Sequence, residues 1–94
     1  MNLETKKDLA SNWFKTLQNV LCDDICKLEK NKYKFKSTSW IRNTKKDEGG
    51  GEYRILQNGK IFEKVGVNFS KVYGKFPKQL QKKIPGAQKN PRFW

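Results

Sequence analysis

From about Leu3 to Lys30, apolar residues recur at helical spacing. Leu9, Trp13, Leu17, Val20, Leu21, Ile25 and Leu28 form a stripe that Phe14 widens, with lysines and acids elsewhere. The pattern predicts one long amphipathic helix whose stripe covers a sheet. A membrane-surface helix would want a basic polar face, and Asp8, Asp23, Asp24 and Glu29 argue against one. After Asn31 the period changes to two. Tyr33 and Phe35 alternate with Lys34 and Lys36 until Trp40 and Ile41 sit side by side, which predicts a strand from about Tyr33 to Arg42 with a bulge or bend near Trp40. Asn43 to Glu48 reads as a charged turn, and Gly49, Gly50 and Gly51 as a flexible or tightly bent entry to the next strand.

Two strand-like segments then meet at Asn58-Gly59, the strongest short hairpin signal, because a two-residue type I′ turn needs positive φ at both central positions. That turn predicts Leu56 opposite Ile61, Ile55 opposite Phe62, Arg54 opposite Glu63 and Tyr53 opposite Lys64. One face then carries Leu56, Ile61, Arg54, Glu63 and Val65, and the other Ile55, Phe62, Tyr53 and Lys64. Both faces hold apolar residues, so both are expected to be covered at least in part. Val65, Val67 and Phe69 continue the alternation. Beyond Pro77, a short helix over Lys78 to Lys83 is predicted, with Leu80 and Ile84 facing inward and Pro85-Gly86 closing it. The expected class is α+β, a long N-terminal helix packed on an antiparallel sheet.

The formal charge is +12, from 21 basic and 9 acidic residues. Such a balance invites a nucleic-acid reading, with Trp, Tyr and Phe along the strands available to stack on bases. Against it, only Arg42, Arg54 and Arg92 are arginines, and scattered lysines more often mark a solvated surface. Histidine is absent, which removes the commonest general base and metal ligand. Cys22 and Cys26 share a helix face at a spacing that suits neither a zinc knuckle nor a redox pair, and two buried, reduced thiols fit a cytoplasmic chain. The glycine run matches no phosphate-loop pattern, and no apolar run is long enough to span a membrane.

Trp40-x-Arg42, Gly49-Gly50-Gly51, the phrase from Arg54 through Asn58-Gly59 to Ser70, and Val72-x-Gly74 together form a long ordered pattern. It resembles the amino-terminal part of the oxygen-dependent coproporphyrinogen III oxidases, as do the first helix and the ending Ile84-Pro85-Gly86 to Asn90-Pro91-Arg92-Phe93-Trp94. Val65 stands where that family usually has alanine, and the glycine run is one shorter than is common. The resemblance covers essentially the whole chain but only the opening portion of the family enzyme, so residues 1–94 read as a single partial domain.

The resemblance implies oxidative decarboxylation of two propionates of coproporphyrinogen III to vinyls, giving protoporphyrinogen IX. Molecular oxygen is the co-substrate, and neither a metal nor an organic cofactor takes part. It also implies a broad antiparallel sheet flanked by helices, and a homodimer. The segment Ile61, Phe62, Glu63, Lys64, Val65, Gly66, Val67, Asn68, Phe69 and Ser70 is nominated as the interface strand. None of the family's catalytic positions lies within this stretch, so the chain alone is expected to be inactive. Arg54 is either half of a cross-strand ion pair with Glu63 or a group that reaches a substrate carboxylate in a complete enzyme. A self-associating interaction fragment is the further alternative.

Overall fold

A computed structural model describes all 94 residues. Helix α1 runs Leu3–Leu28. Asn2 caps it, its Oδ1 accepting the Thr5 N–H at 2.8 Å and so satisfying one of the first-turn donors that no helical carbonyl can reach. The helix stops where Lys30 and Asn31 both adopt φ 57°, and the Asn31 N–H returns to the Cys26 carbonyl at 2.8 Å.

Three strands follow, β1 (Lys36–Ile41), β2 (Gly49–Gln57) and β3 (Lys64–Val72), in an antiparallel sheet of order β1-β2-β3. Beyond it, β4 (Gly74–Lys75) pairs with β5 (Arg92–Phe93), and the one-turn helix α2 (Lys78–Gln81) lies between them in the chain. Phe76 and Phe93 stack at 4.7 Å between ring centroids, and the Arg42 guanidinium lies 5.0 Å from the Phe93 centroid. The α+β class and the helix–sheet architecture are as expected.

The hairpin is not. Leu56 pairs with Val65, Arg54 with Val67 and Gln57 with Lys64, so the ladder is shifted four residues from the one Asn58-Gly59 predicts. Only Asn58 takes positive φ, 59°, and its N–H donates to the Glu63 carbonyl at 2.8 Å across a loop that contains Ile61 and Phe62. An even shift keeps each side chain on its own face, which is why Arg54, Leu56 and Val65 still share one. It does cancel the Arg54–Glu63 pairing.

Smaller differences follow the same pattern of local rules overridden by packing. β1 begins at Lys36 rather than Tyr33, and its pairing runs unbroken through Trp40 opposite Gly51, with no bulge. The glycine run is no flexible entry but the first part of β2, hydrogen-bonded on both sides. Gly49 has φ 86°, and a side chain on any of the three would strike the carbonyl of Trp40, Phe69 or Lys71. Leu80, expected inward, is exposed.

The largest difference concerns α1. It crosses the face of the sheet that bears Leu56 and Phe69, but the helix residues buried there are Ser11, Gln18 and Cys22, with Glu29 just past its end. The apolar stripe lies roughly a third of a turn away at 100° per residue. Trp13 is 57% and Leu9 53% exposed, and Phe14, Val20, Leu21 and Leu28 are exposed with them. No helix lies on the opposite face of the sheet, where Tyr53 is exposed and Ile55 half-buried, so that face is covered only in part.

Candidate functional site

The first turn of β2 over its glycines leaves a cleft of about 460 Å³ beside α1. Gly50 and Gly51 form its floor, Lys15 and Asn19 reach it from α1, Ser39 from β1, and Arg54 and Lys71 from β2 and β3. Their placement follows from the alternation: Glu52 and Arg54 lie on the helix-facing side of β2, opposite Phe69 and Val67 of β3.

Arg54 is held on three sides. Its Nε donates to Glu52 Oε2, its Nη1 to Asn19 Oδ1 at 2.7 Å, and the Cys22 thiol lies against it. The hydrogen bond from Arg54 holds the Glu52 carboxyl below the ordinary carboxylate range, and Glu52 in turn raises the guanidinium. Burial pushes the Cys22 thiol up, which Arg54 only partly offsets. Cys22 and Cys26 are both free thiols, Cys22 buried and Cys26 half-buried with its Sγ donating to the Tyr33 carbonyl at 3.6 Å. With Arg54 committed to Glu52, the cleft's uncommitted positive groups are Lys15 and Lys71. A larger hollow of about 640 Å³ at the start of α1 mixes Lys7, Lys75 and Arg92 with Glu4, Asp8 and Glu48, a lining of near-balanced charge. No three His, Cys, Asp or Glu side chains converge as metal ligands would.

Of the nominated interface strand, Lys64 to Ser70 lie in β3, while Ile61, Phe62 and Glu63 lie in the loop before it. The reason is Glu29. Glu29 is 3% exposed, and its carboxylate accepts the backbone N–H groups of Lys60, Ile61 and Phe62, each at 3.0 Å, so these donors face a carboxylate and not a neighbouring strand. Gly59 is required there because a Cβ would collide with that carboxylate. Burial pushes the Glu29 carboxyl up, yet the N–H groups of Phe62, Ile61 and Lys60 together outweigh it and hold it below the ordinary range.

Sequence reasoning registered Glu29 only as a charge on the helix. The available signal was its place: an acid at a helix C-terminus opposes the dipole, and so calls for donors from elsewhere. Gln18 was missed as well. Its Nε2 donates to the carbonyls of Glu52 at 2.9 Å and Val67 at 3.0 Å, which pins α1 across β2 and β3.

The ladder's phase shows which groups of β3 are free. Tyr73 N–H to the Glu48 carbonyl and Asn58 N–H to the Glu63 carbonyl make the odd-numbered residues of β3 bond inward to β2. Lys64, Gly66, Asn68 and Ser70 therefore turn their backbone groups outward, along an edge that no strand covers.

The sequence pattern of the family described as coproporphyrinogen III oxidase matches residues 9–93. The oxygen-dependent coproporphyrinogen-III oxidase of Rickettsia felis is 40% identical over 100% of this chain, which spans 35% of that protein. Those of Rickettsia akari and Rickettsia typhi are also 40% identical, over 99% and 100% of the chain and 34% and 35% of their own lengths. The chain thus spans about a third of the length of the curated relatives it matches. No solved structure matches it.

Proposed function

Because the chain belongs to the coproporphyrinogen III oxidase family, we propose that it forms the amino-terminal section of an aerobic coproporphyrinogen III oxidase. The complete enzyme converts two propionates of coproporphyrinogen III to vinyls with molecular oxygen as co-substrate, needs no metal or organic cofactor, and works in the cytoplasm. The carrying observation is the match from residue 9 to 93, at 40% identity to a named enzyme over the whole of this chain. The 94 residues alone are inactive. They hold no histidine, and the one arginine in the cleft is engaged by a carboxylate.

The glycine-floored cleft is the part of this section that meets the anionic tetrapyrrole, with Arg54 fixing the cleft wall and Lys15 and Lys71 supplying charge. No helix in the chain is long and apolar enough to cross a membrane. The test is a chimera of residues 1–94 with the remaining part of the Rickettsia felis enzyme. Oxygen-dependent formation of protoporphyrinogen by the chimera, and none by the 94 residues, is expected. A folded chimera without turnover would sink the assignment.

A second reading concerns assembly. The uncovered edge of β3 favours self-association through backbone pairing along Lys64 to Ser70, and the family's homodimer is the form it would take in the whole enzyme. Sedimentation across a range of concentrations should show a dimer that Asn68→Pro removes, since proline deletes an outward donor without breaking a bond to β2. A strict monomer at every concentration counts against it.

A further inference from the structure

Asn58-Gly59 is a turn dipeptide that the fold does not use as a two-residue turn. A longer loop takes its place, in which Asn58 alone adopts positive φ, 59°. Gly59 is kept for a different reason, the Glu29 carboxylate that occupies the place of a side chain. The loop is tied on both sides of the dipeptide: the Asn58 N–H donates to the Glu63 carbonyl at 2.8 Å, and the Lys60 N–H to Glu29 Oε1 at 3.0 Å. Between these ties nothing holds the peptide that joins the two residues. The Gly59 N–H donates to no acceptor, the Asn58 side-chain amide makes no hydrogen bond, and Asn58 is exposed.

We propose that Asn58 is a site of spontaneous covalent modification, left by the fold as reactive as in an open chain, and that its conversion to an acid releases the loop bound by Glu29. The Gly59 backbone nitrogen gives its proton to solvent base and attacks Asn58 Cγ, closing a five-membered imide and expelling the side-chain nitrogen as ammonia. Water then opens the imide at one carbonyl to give aspartate, or at the other to give isoaspartate, whose main chain runs through Cγ. In sum, the asparagine and a water become an acid and ammonia, with no change of oxidation state. A side chain on the following residue would crowd the attacking nitrogen, and of the eight asparagines only Asn58 precedes a glycine. Others are also tethered: Asn2 Oδ1 accepts the Thr5 N–H at 2.8 Å, and Asn19 Oδ1 accepts Arg54 Nη1 at 2.7 Å. Either product disturbs the loop. It adds a negative charge one residue from the glycine against which the Glu29 carboxylate lies. Isoaspartate also lengthens the main chain by one carbon between the two ties, so both bonds cannot keep their present geometry.

The test incubates the 94-residue chain in mildly alkaline buffer, with and without guanidinium chloride. Proteolysis and mass spectrometry follow each asparagine, and enzymatic methyl labelling counts isoaspartate. Conversion at Asn58 in the folded chain is expected within about threefold of the denatured rate, because the dipeptide can turn without breaking a hydrogen bond. It should outpace every other asparagine about tenfold or more, since a glycine follows only there. The rate should climb with pH, as attack by a deprotonated amide requires. Asn58→Gly accepts positive φ and lacks the reacting side chain, so its mass should stay constant. Amide exchange at Lys60, Ile61 and Phe62 should rise as the natural chain ages, and not in Asn58→Gly aged beside it. Asn58→Asp adds the charge without the extra main-chain carbon and should raise that exchange less than isoaspartate does. A folded-chain rate that falls further below the denatured one overturns the proposal, as does a converted sample in which those three amides stay protected.

Discussion

The two flanks of α1 differ in the opposite sense from an ordinary amphipathic helix. Toward the sheet it presents Ser11, Gln18 and Cys22, with Glu29 just past its end. Away from the sheet it presents Leu9, Trp13 and Val20. What separates the flanks is how much each group's partner is worth. A buried amide or carboxylate without donors or acceptors is costly, and here no buried side-chain polar atom lacks a partner. Hydrogen bonds therefore set the rotation of the helix on the sheet, while the apolar flank faces out.

The largest expected effect lies on the inward side. Leu56 is fully buried under α1, and Leu56→Ala removes its transfer energy and leaves a cavity, for a loss of about 2 to 5 kcal/mol. Urea unfolding followed by circular dichroism measures it. A loss under about 1 kcal/mol would mean that the inward side is not the core of this chain.

Next comes Glu29. Its folded carboxyl titrates below the unfolded one, so the stabilisation is fully present above the unfolded pKa and disappears as pH falls through the folded value. Melting temperature should drop on acidification below the ordinary carboxylate range. Glu29→Gln should lower stability at neutral pH and flatten that acid dependence, leaving the part due to Glu52, which is also depressed. Amide exchange at Lys60, Ile61 and Phe62 should rise in the variant before exchange rises elsewhere. An unchanged acid profile would show that the carboxylate does not hold the loop.

Gln18→Leu should cost less, about 1 to 2 kcal/mol. It deletes two bonds, but the Glu52 and Val67 carbonyls keep their partners in the β2–β3 ladder. The helix would then be free to turn its apolar side inward, so quenching of tryptophan fluorescence should report a less accessible Trp13. A destabilised variant with unchanged Trp13 accessibility would argue that packing, and not Gln18, sets the rotation.

These cases show what the sequence made legible. Period alone located α1 to within two residues, because the apolar recurrence and its change after Asn31 are local signals. The face assignment of β2 and β3 survived because a shift of four residues preserves it. The register and the helix rotation depended on Glu29 and Gln18, whose partners lie thirty or more residues away, and no local period encodes that. In the cleft, Arg54 was legible as a candidate, either as the cross-strand partner of Glu63 or as a group for a substrate carboxylate in a complete enzyme of the family. Lys15 and Lys71 were not, since each is one lysine among many until the fold brings it to the glycine floor.

The smallest effect belongs to the outer flank and has the opposite sign. Val20 is 46% exposed and β-branched in the interior of α1. Val20→Ala relieves the side-chain restriction that a helix imposes on such residues and should stabilise the isolated chain by about 0.5 kcal/mol. If Val20→Ala instead destabilises the 94 residues by as much as a core truncation does, then Val20 is buried in solution. The two flanks would then have exchanged places.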